Sequence, residues 1–283
     1  MIGIPSGLRN LDNITNGWQN GDVIILAARP SVGKTAFAIN LSLNAANIGI
    51  GIGFFSLEMS TSMIMKRIGS TMSGIELEKI QKGNLNHYEL QAYRNGLARF
   101  SKLNFHIDDT GGISLQQLKA KARKMVLKEK VGFIIIDYLQ LMEADDKGIS
   151  REQQISELSR GVKRLAKELG VPILNLSQLS REVEKRGGQS GNAIPRLSDL
   201  RESGAIEQDA DLVIFLHRED YQKYDNQVNP EKRGEALAIV AKHRNGTTGA
   251  AILHFEKRTQ IFTDKNTSDV FTQIEQQTQQ NPF

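Results

Sequence analysis

The chain has 283 residues, 39% of them hydrophobic and 24% charged, which suffices for one large core or two smaller ones. Its 36 basic and 32 acidic residues leave a net charge of +4, so a polyanionic partner would have to be recognised by local clusters. It has no cysteine, which excludes a disulfide framework and thiolate metal sites, and no apolar run approaches the ~20 residues of a membrane span.

Residues 1–7 lack the basic-then-apolar order of a secretory signal, and a cytoplasmic location is expected. The buried-strand pattern of Val23–Ala27 empties into Ala28-Arg29-Pro30-Ser31-Val32-Gly33-Lys34-Thr35, and a helical pattern runs on from Ala36 to Ala46. This strand–loop–helix order is the context of a phosphate-binding P-loop, G-x-x-x-x-G-K-[ST]. Ala28 stands where the pattern has its first glycine, so φ < 0 is expected there. Further strands are expected at Gly51–Ser56, Asn104–Ile107, Phe133–Asp137, Ile173–Ser177 and Asp211–Leu216. Their nearly continuous apolar runs predict a sheet covered on both faces.

Helical spacing is clear in Ser114–Lys128 and clearest in Arg151–Leu169, where Ile155, Leu158, Val162, Leu165 and Leu169 recur. Alternating strands and helices predict an α/β fold with a mainly parallel central sheet flanked by helices. At the C-terminal end, Glu235–Ala241, Ala250–Glu256 and Gln260–Thr263 read as antiparallel strands. Glu143–Arg151 and Arg181–Arg196 are polar, glycine-containing loops at the carboxyl ends of strands, where open parallel sheets gather functional loops. No composition break or repeat divides residues 1–264, and residues 265–283 form a polar tail expected to be disordered.

The chemistry follows from the loop. Successive N–H groups at a helix start favour phosphate. The Lys34 ammonium suits the β/γ-phosphates, and the Thr35 hydroxyl suits Mg²⁺. Ile134-Ile135-Ile136-Asp137 ends an apolar strand in a carboxylate, the usual form of a Walker-B element. Burying Asp137 without a cation would be costly, so a role in holding Mg²⁺ directly or through water is expected. Glu58 follows the second strand and is the candidate base for the attacking water. Gln178 ends another strand, where its amide could touch the γ-phosphate. Lys242-His243-Arg244-Asn245-Gly246 ends an antiparallel strand at a turn. It reads either as a solvated hairpin tip or as an arginine finger offered to a neighbouring subunit. His243 has no partner at metal-ligand spacing and is assigned no metal role.

Together, Ile4-Pro5-Ser6-Gly7, the loop 28–35, Phe55-Ser56-Leu57-Glu58-Met59, Ile136–Leu141, Leu176–Arg181, Asp199–Asp211 and Lys242–Gly246 resemble the C-terminal motor domain of DnaB-type replicative helicases. The resemblance runs in order from about Gly3 to Thr263, and the run Asp199-Leu200-Arg201-Glu202-Ser203-Gly204 is more specific than a P-loop. It implies a RecA-like P-loop NTPase fold over residues 1–264. It also implies a homo-hexameric ring, use of ATP or another NTP with Mg²⁺, and 5′→3′ translocation on single-stranded DNA during replication, with a loader or primase as possible partners. It implies further that Arg201, Glu202 and Gly204 line a DNA channel, that Lys242 and Arg244 act in trans, that Glu58 is the catalytic base, and that Gln178 couples hydrolysis to movement. Arg201 and Gly204 suit sequence-independent phosphate contacts, whereas Glu202 requires a basic partner. Family members carry an N-terminal helical domain and a linker helix ahead of the motor. The motor pattern here begins at Met1-Ile2-Gly3-Ile4-Pro5, so weak assembly and mostly monomer in dilute solution are expected. A KaiC-like regulatory ring ATPase and a RecA-like recombinase are the alternative readings.

Overall fold

Strands whose residues are apolar at every position can be stable only if both faces of their sheet are covered, and helices between them supply the cover. The computed structural model describes residues 2–138, 142, 150–180, 193–200, 204–220 and 232–265. Its elements in chain order begin with α1 (Arg9–Thr15), β1 (Val23–Ala28), α2 (Lys34–Asn47), β2 (Gly51–Ser56), α3 (Thr61–Ser73), α4 (Leu77–Lys82) and α5 (His87–Phe100). There follow β3 (Phe105–Asp108), α6 (Leu115–Glu129), β4 (Val131–Asp137), α7 (Arg151–Leu169), β5 (Ile173–Gln178) and α8 (Gly204–Asp209). The last are β6 (Leu212–His217), β7 (Glu235–His243), β8 (Gly249–Glu256) and β9 (Ile261–Asp264).

They form one sheet of nine strands in the order β3-β2-β4-β5-β1-β6-β7-β8-β9. From β3 to β6 every pairing is parallel, and from β6 to β9 every pairing is antiparallel. The α/β architecture with an antiparallel C-terminal end is thus as expected.

Period-two alternation divides each central strand between two cores. Ile24, Leu26 and Ala28 join the layer beneath α2, with Phe37, Ile39 and Leu41. Val23, Ile25 and Ala27 join the opposite layer under α6 and α7, with Leu118, Leu158, Val162 and Leu165. Each such side chain is fully or nearly fully buried, and each valine, leucine, isoleucine or phenylalanine among them contributes roughly 1.5–3 kcal/mol relative to exposure. β7 and β8 alternate instead, burying Ala236, Ala238, Val240, Ala251, Leu253 and Phe255 on one face.

The differences from the sequence reading have local causes. β3 starts one residue late because the Asn104 side chain turns away to donate to Glu129 O at 2.7 Å, and as an edge strand β3 is only half buried. β6 starts at Leu212 because the Asp211 carboxylate is turned to accept from the Val23 N–H at 2.8 Å. Ser114 is the N-cap of α6, closing a capping box with Gln117. Helices α1, α3, α4 and α5 leave little trace in the sequence: α3 buries only Ile64, Ile68, Gly69 and Ser70, and α5 only Gly96 and Phe100, too few for a clear period. The loops 143–149 and 181–192, and residues 266–283 of the polar tail, lie outside the described residues.

The two ends of the described chain are tied together. Asp264, the last residue of β9, accepts the first-turn N–H groups of Arg9 at 2.7 Å and Asn10 at 2.9 Å, and so caps α1 in place of its own N-cap residue Leu8. A carboxylate at a helix start satisfies otherwise unpaired donors and meets the positive end of the helix dipole. Asp264→Ala is therefore expected to lower unfolding free energy by about 1–2 kcal/mol, read by chemical denaturation with an unchanged m-value. An unaltered midpoint would show that water replaces the cap without loss.

Candidate nucleotide site and the opposite edge of the sheet

A parallel sheet delivers the carboxyl ends of all its strands to one edge. At that edge β1 runs into the loop 29–33 and then α2, whose first residues are Lys34 and Thr35. Ala28 completes β1 in register with Gln178, and it is not among the residues of positive φ, as its Cβ requires. The left-handed positions lie further on, at Ser31 (φ 66°) and Gly33 (φ 111°), the second being the glycine that lets the chain turn into the helix. α2 is held in place by Asn40, which accepts from the Phe262 N–H at 3.0 Å and donates to Gln260 O at 2.7 Å. Phe262 in turn packs on Phe37 and stacks on Phe255 with centroids 4.3 Å apart.

Asp137, at the end of β4, is fully buried and pairs in register with Ser56 of β2. Its Oδ2 accepts from the Thr35 hydroxyl at 2.8 Å, while its Oδ1 accepts no hydrogen bond and has the Lys34 ammonium at 3.7 Å. A buried carboxylate oxygen left without a donor, beside a hydroxyl, is a donor set suited to a hard divalent cation or its water shell. Glu58 is exposed, two residues past the end of β2, and Gln178 is exposed at the end of β5.

Beside the buried Asp137 lies a cavity of about 590 Å³, lined among others by Lys34, Thr35, Glu58, Arg67, Gln178 and Arg218. Leu77, Phe255 and Gln260 are shared with a second, larger cavity of about 790 Å³ beside it. Burial lowers the Lys34 pKa from its ordinary value, opposed by the charges of Asp137 and Glu58. Burial likewise lowers the pKa of Arg67 and of Arg218. Three largely desolvated cationic side chains thus line one cavity, Lys34 near Asp137 and Arg218 paired with Asp220.

Arg67 and Arg218 escape a reading of the sequence. Arg67 lies on α3, donates to Gln260 Oε1 at 2.5 Å, and leaves a buried Nε without a partner; one basic residue on an amphipathic helix carries no signal. Arg218 directly follows the apolar β6, the same pattern that exposes Asp137, and that signal could have found it. It is 4% exposed, pairs with Asp220 at 2.8 Å, donates to Val32 O at 3.1 Å, and lies over the Phe255 ring at 4.5 Å. It braces the phosphate loop from beneath.

Lys242 and Arg244 are not at this cavity. β7 is antiparallel to β6 and pairs His243 with Leu212, the first residue of β6. The pair therefore sits at the opposite edge, about 17 Å of strand away from the phosphate loop at ~3.3 Å per residue. The solvated-tip reading fails for Lys242, which donates to Glu207 O at 2.5 Å in the last turn of α8. Arg244 keeps a half-exposed side chain, 3.3 Å from Asp211. Gly204 begins α8, whereas Arg201 and Glu202 lie outside the described residues.

The family model described as the DnaB-like helicase C-terminal domain matches residues 3–264. Replicative DNA helicase DnaB of Rickettsia felis is 42% identical, with 91% of this chain and 56% of that protein aligned. Replicative DNA helicase DnaC of Bacillus subtilis is 41% identical, with 93% and 57% aligned. The chain thus spans a little over half the length of the curated relatives it matches. Among solved structures, one described as an ATPase domain superposes with a TM-score of 0.85 at 38% identity, covering 93% of this chain and 92% of that one. A DnaB-like replicative helicase described with its interactions with primase matches with a TM-score of 0.85 at 38% identity, over 93% of this chain and 62% of that one.

Removing Lys34 should abolish anion capture without unfolding the chain, because its ammonium gains little from its desolvated position. At about 100 times the dissociation constant, MgATP is expected to stabilise the wild-type chain by ~2.7 kcal/mol. Lys34→Ala should unfold cooperatively in the absence of nucleotide and show no such stabilisation in thermal scans. Loss of cooperative unfolding in the variant would assign Lys34 a structural role instead.

Proposed function

Because the chain belongs to the family of DnaB-like helicase C-terminal domains, we propose that it is the motor of a replicative DNA helicase, moving 5′→3′ on single-stranded DNA in a homomeric ring. The observation that carries this reading is the division of cations between two edges of one sheet. The phosphate loop, Glu58 and Asp137 stand at one edge, and Lys242 and Arg244 at the other. Arg244 cannot complete its own cavity across that span. A second copy, placed head to tail, brings it to the neighbour's phosphate, and repetition of a head-to-tail contact generates a ring when the rotation closes.

Within the cavity, Lys34 and the N–H groups at the start of α2 bind the phosphates of ATP. Thr35 and Asp137 would hold Mg²⁺, which when bound supplies charge neutralisation across the β- and γ-phosphates. Glu58 is exposed and free of ion pairing with a lysine or arginine among the described residues, and it accepts the proton of the attacking water. Gln178, in register with Ala28, senses the γ-phosphate position. Arg201, Glu202 and Gly204 contact the DNA backbone, with Gly204 leading directly into α8. Residues 1–264 form the motor and 265–283 an accessory tail. A loader and a primase are the partners this reading supplies. A regulatory ring ATPase or a recombinase would share the fold, and the sequence similarity to replicative helicases along the whole motor favours the helicase.

Arg244→Ala should bind MgATP like the wild type but hydrolyse it about 10³-fold or more slowly, within the range of about 10³–10⁵ typical of a lost arginine finger. Mixed with Lys34→Ala, which keeps the finger and lacks the phosphate-binding lysine, it should regain part of its DNA-stimulated activity. Wild-type turnover by Arg244→Ala when assembled on DNA would remove the trans assignment.

A further inference from the structure

Among the described residues Arg244 pairs with Asp211, in the turn between α8 and β6, and the Asp22 carboxylate lies close enough for its charge to act on both. The backbone N–H of Arg244 donates to Asp211 O at 2.8 Å, and its Nη1 to Asp211 Oδ1 at 3.3 Å. The other oxygen, Oδ2, accepts from the Val23 N–H at 2.8 Å and from the Lys163 ammonium on α7. Lys163 also donates to Gly21 O at 3.0 Å. The Asp211 side chain is 5% exposed and that of Lys163 14%, so their charges face each other largely out of water.

Asp211 thus has its charge satisfied by Lys163 and a backbone donor before Arg244 is counted. The contact with Arg244 is long and its guanidinium is half exposed, so the pair is only weakly held. Such an arrangement aims a side chain without trapping it. The guanidinium can exchange a carboxylate for a phosphate, and Asp211 keeps Lys163 as its partner when it goes. Lys242 is directed in the same way, by the carbonyls of Glu207 and Gln208 at the end of α8, just before the same turn.

Resting on the trans reading above, we propose that Asp211 is the positioning residue that aims Arg244 at the neighbouring subunit's nucleotide. One rival role is available from the same contacts. Through the Val23 N–H, Asp211 touches the start of β1, whose far end is the chain's own phosphate loop. The geometry favours Arg244, because β1 is also held by its ladders to β5 and β6, including Ile173 N–H to Asp22 O at 2.9 Å. Among the described residues Asp211 is the carboxylate paired with Arg244.

Subunit mixing separates the two roles. Asp211→Asn in the full chain, assembled on single-stranded DNA, is expected to bind MgATP within about twofold of wild type and to lose about tenfold or more in kcat, as misplacement of a transition-state cation does. The variant should regain activity when mixed with Lys34→Ala, which brings intact fingers. It should regain none when mixed with Arg244→Ala, which shares its defect. The opposite pattern, rescue by Arg244→Ala and none by Lys34→Ala, would overturn the proposal and assign Asp211 to its own phosphate loop. So would wild-type kcat. If Asp211→Asn fails to unfold cooperatively because Lys163 is left unpaired, the double variant with Lys163→Met removes both charges and takes its place in the same mixtures. Undiminished turnover by Arg244→Ala would instead sink the trans reading itself, a result distinct from a wild-type Asp211→Asn beside a slow Arg244→Ala.

Discussion

Strand polarity is the constraint on which this molecule depends. Six neighbouring strands, β3-β2-β4-β5-β1-β6, run parallel, so the groups following β1, β2, β4, β5 and β6 all emerge at one edge. The phosphate loop, Glu58, Asp137, Gln178 and Arg218 come from five separate segments and meet there only because the strands share a direction. At β7 the direction reverses, and the same sheet carries Lys242 and Arg244 to the opposite edge. The cations at the two edges of the sheet are therefore separated by the length of its strands within one copy.

The charges that make the site useful are poor contributors to folding. Asp137 is fully buried with an oxygen lacking a donor, and burial depresses the pKa of Lys34, Arg67 and Arg218. Isolated buried charges destabilise, and even paired ones often only break even against apolar replacements. The two apolar layers on either side of the sheet offset this, and the loop is braced where it is strained. Arg218 holds the Val32 carbonyl under the left-handed residues Ser31 and Gly33, and Asn40 binds α2 to the β8–β9 hairpin. A site stabilised from its surroundings can keep its cations desolvated.

Much of this is legible in the sequence, and the reasons are physical. Strands buried on both faces have apolar residues at consecutive positions, so β1, β2, β4, β5 and β6 can be placed within about two residues. The phosphate loop and Asp137 are readable because each breaks such a run with a polar group whose burial needs a reason. Arg67 is not readable, since its role depends on where α3 packs, and one basic residue on an amphipathic helix carries no signal of its own. Neither is the partnership of Asp211 with Lys163 and Arg244, whose members come from α7, the α8–β6 turn and the end of β7. The choice between a solvated tip and a finger stays open at Arg244 for the same reason: sequence shows that a strand ends there, but only register shows which edge it ends on.

The division of the site between two edges is tested most directly by the concentration dependence of turnover. DNA-stimulated ATPase activity would be measured across protein concentrations, with sedimentation mass recorded in the same samples. The account predicts that the rate per subunit rises with concentration and levels off as the mass reaches that of the assembled ring. A rate per subunit that stays at its maximum in samples sedimenting as monomer would contradict it, because one copy would then suffice.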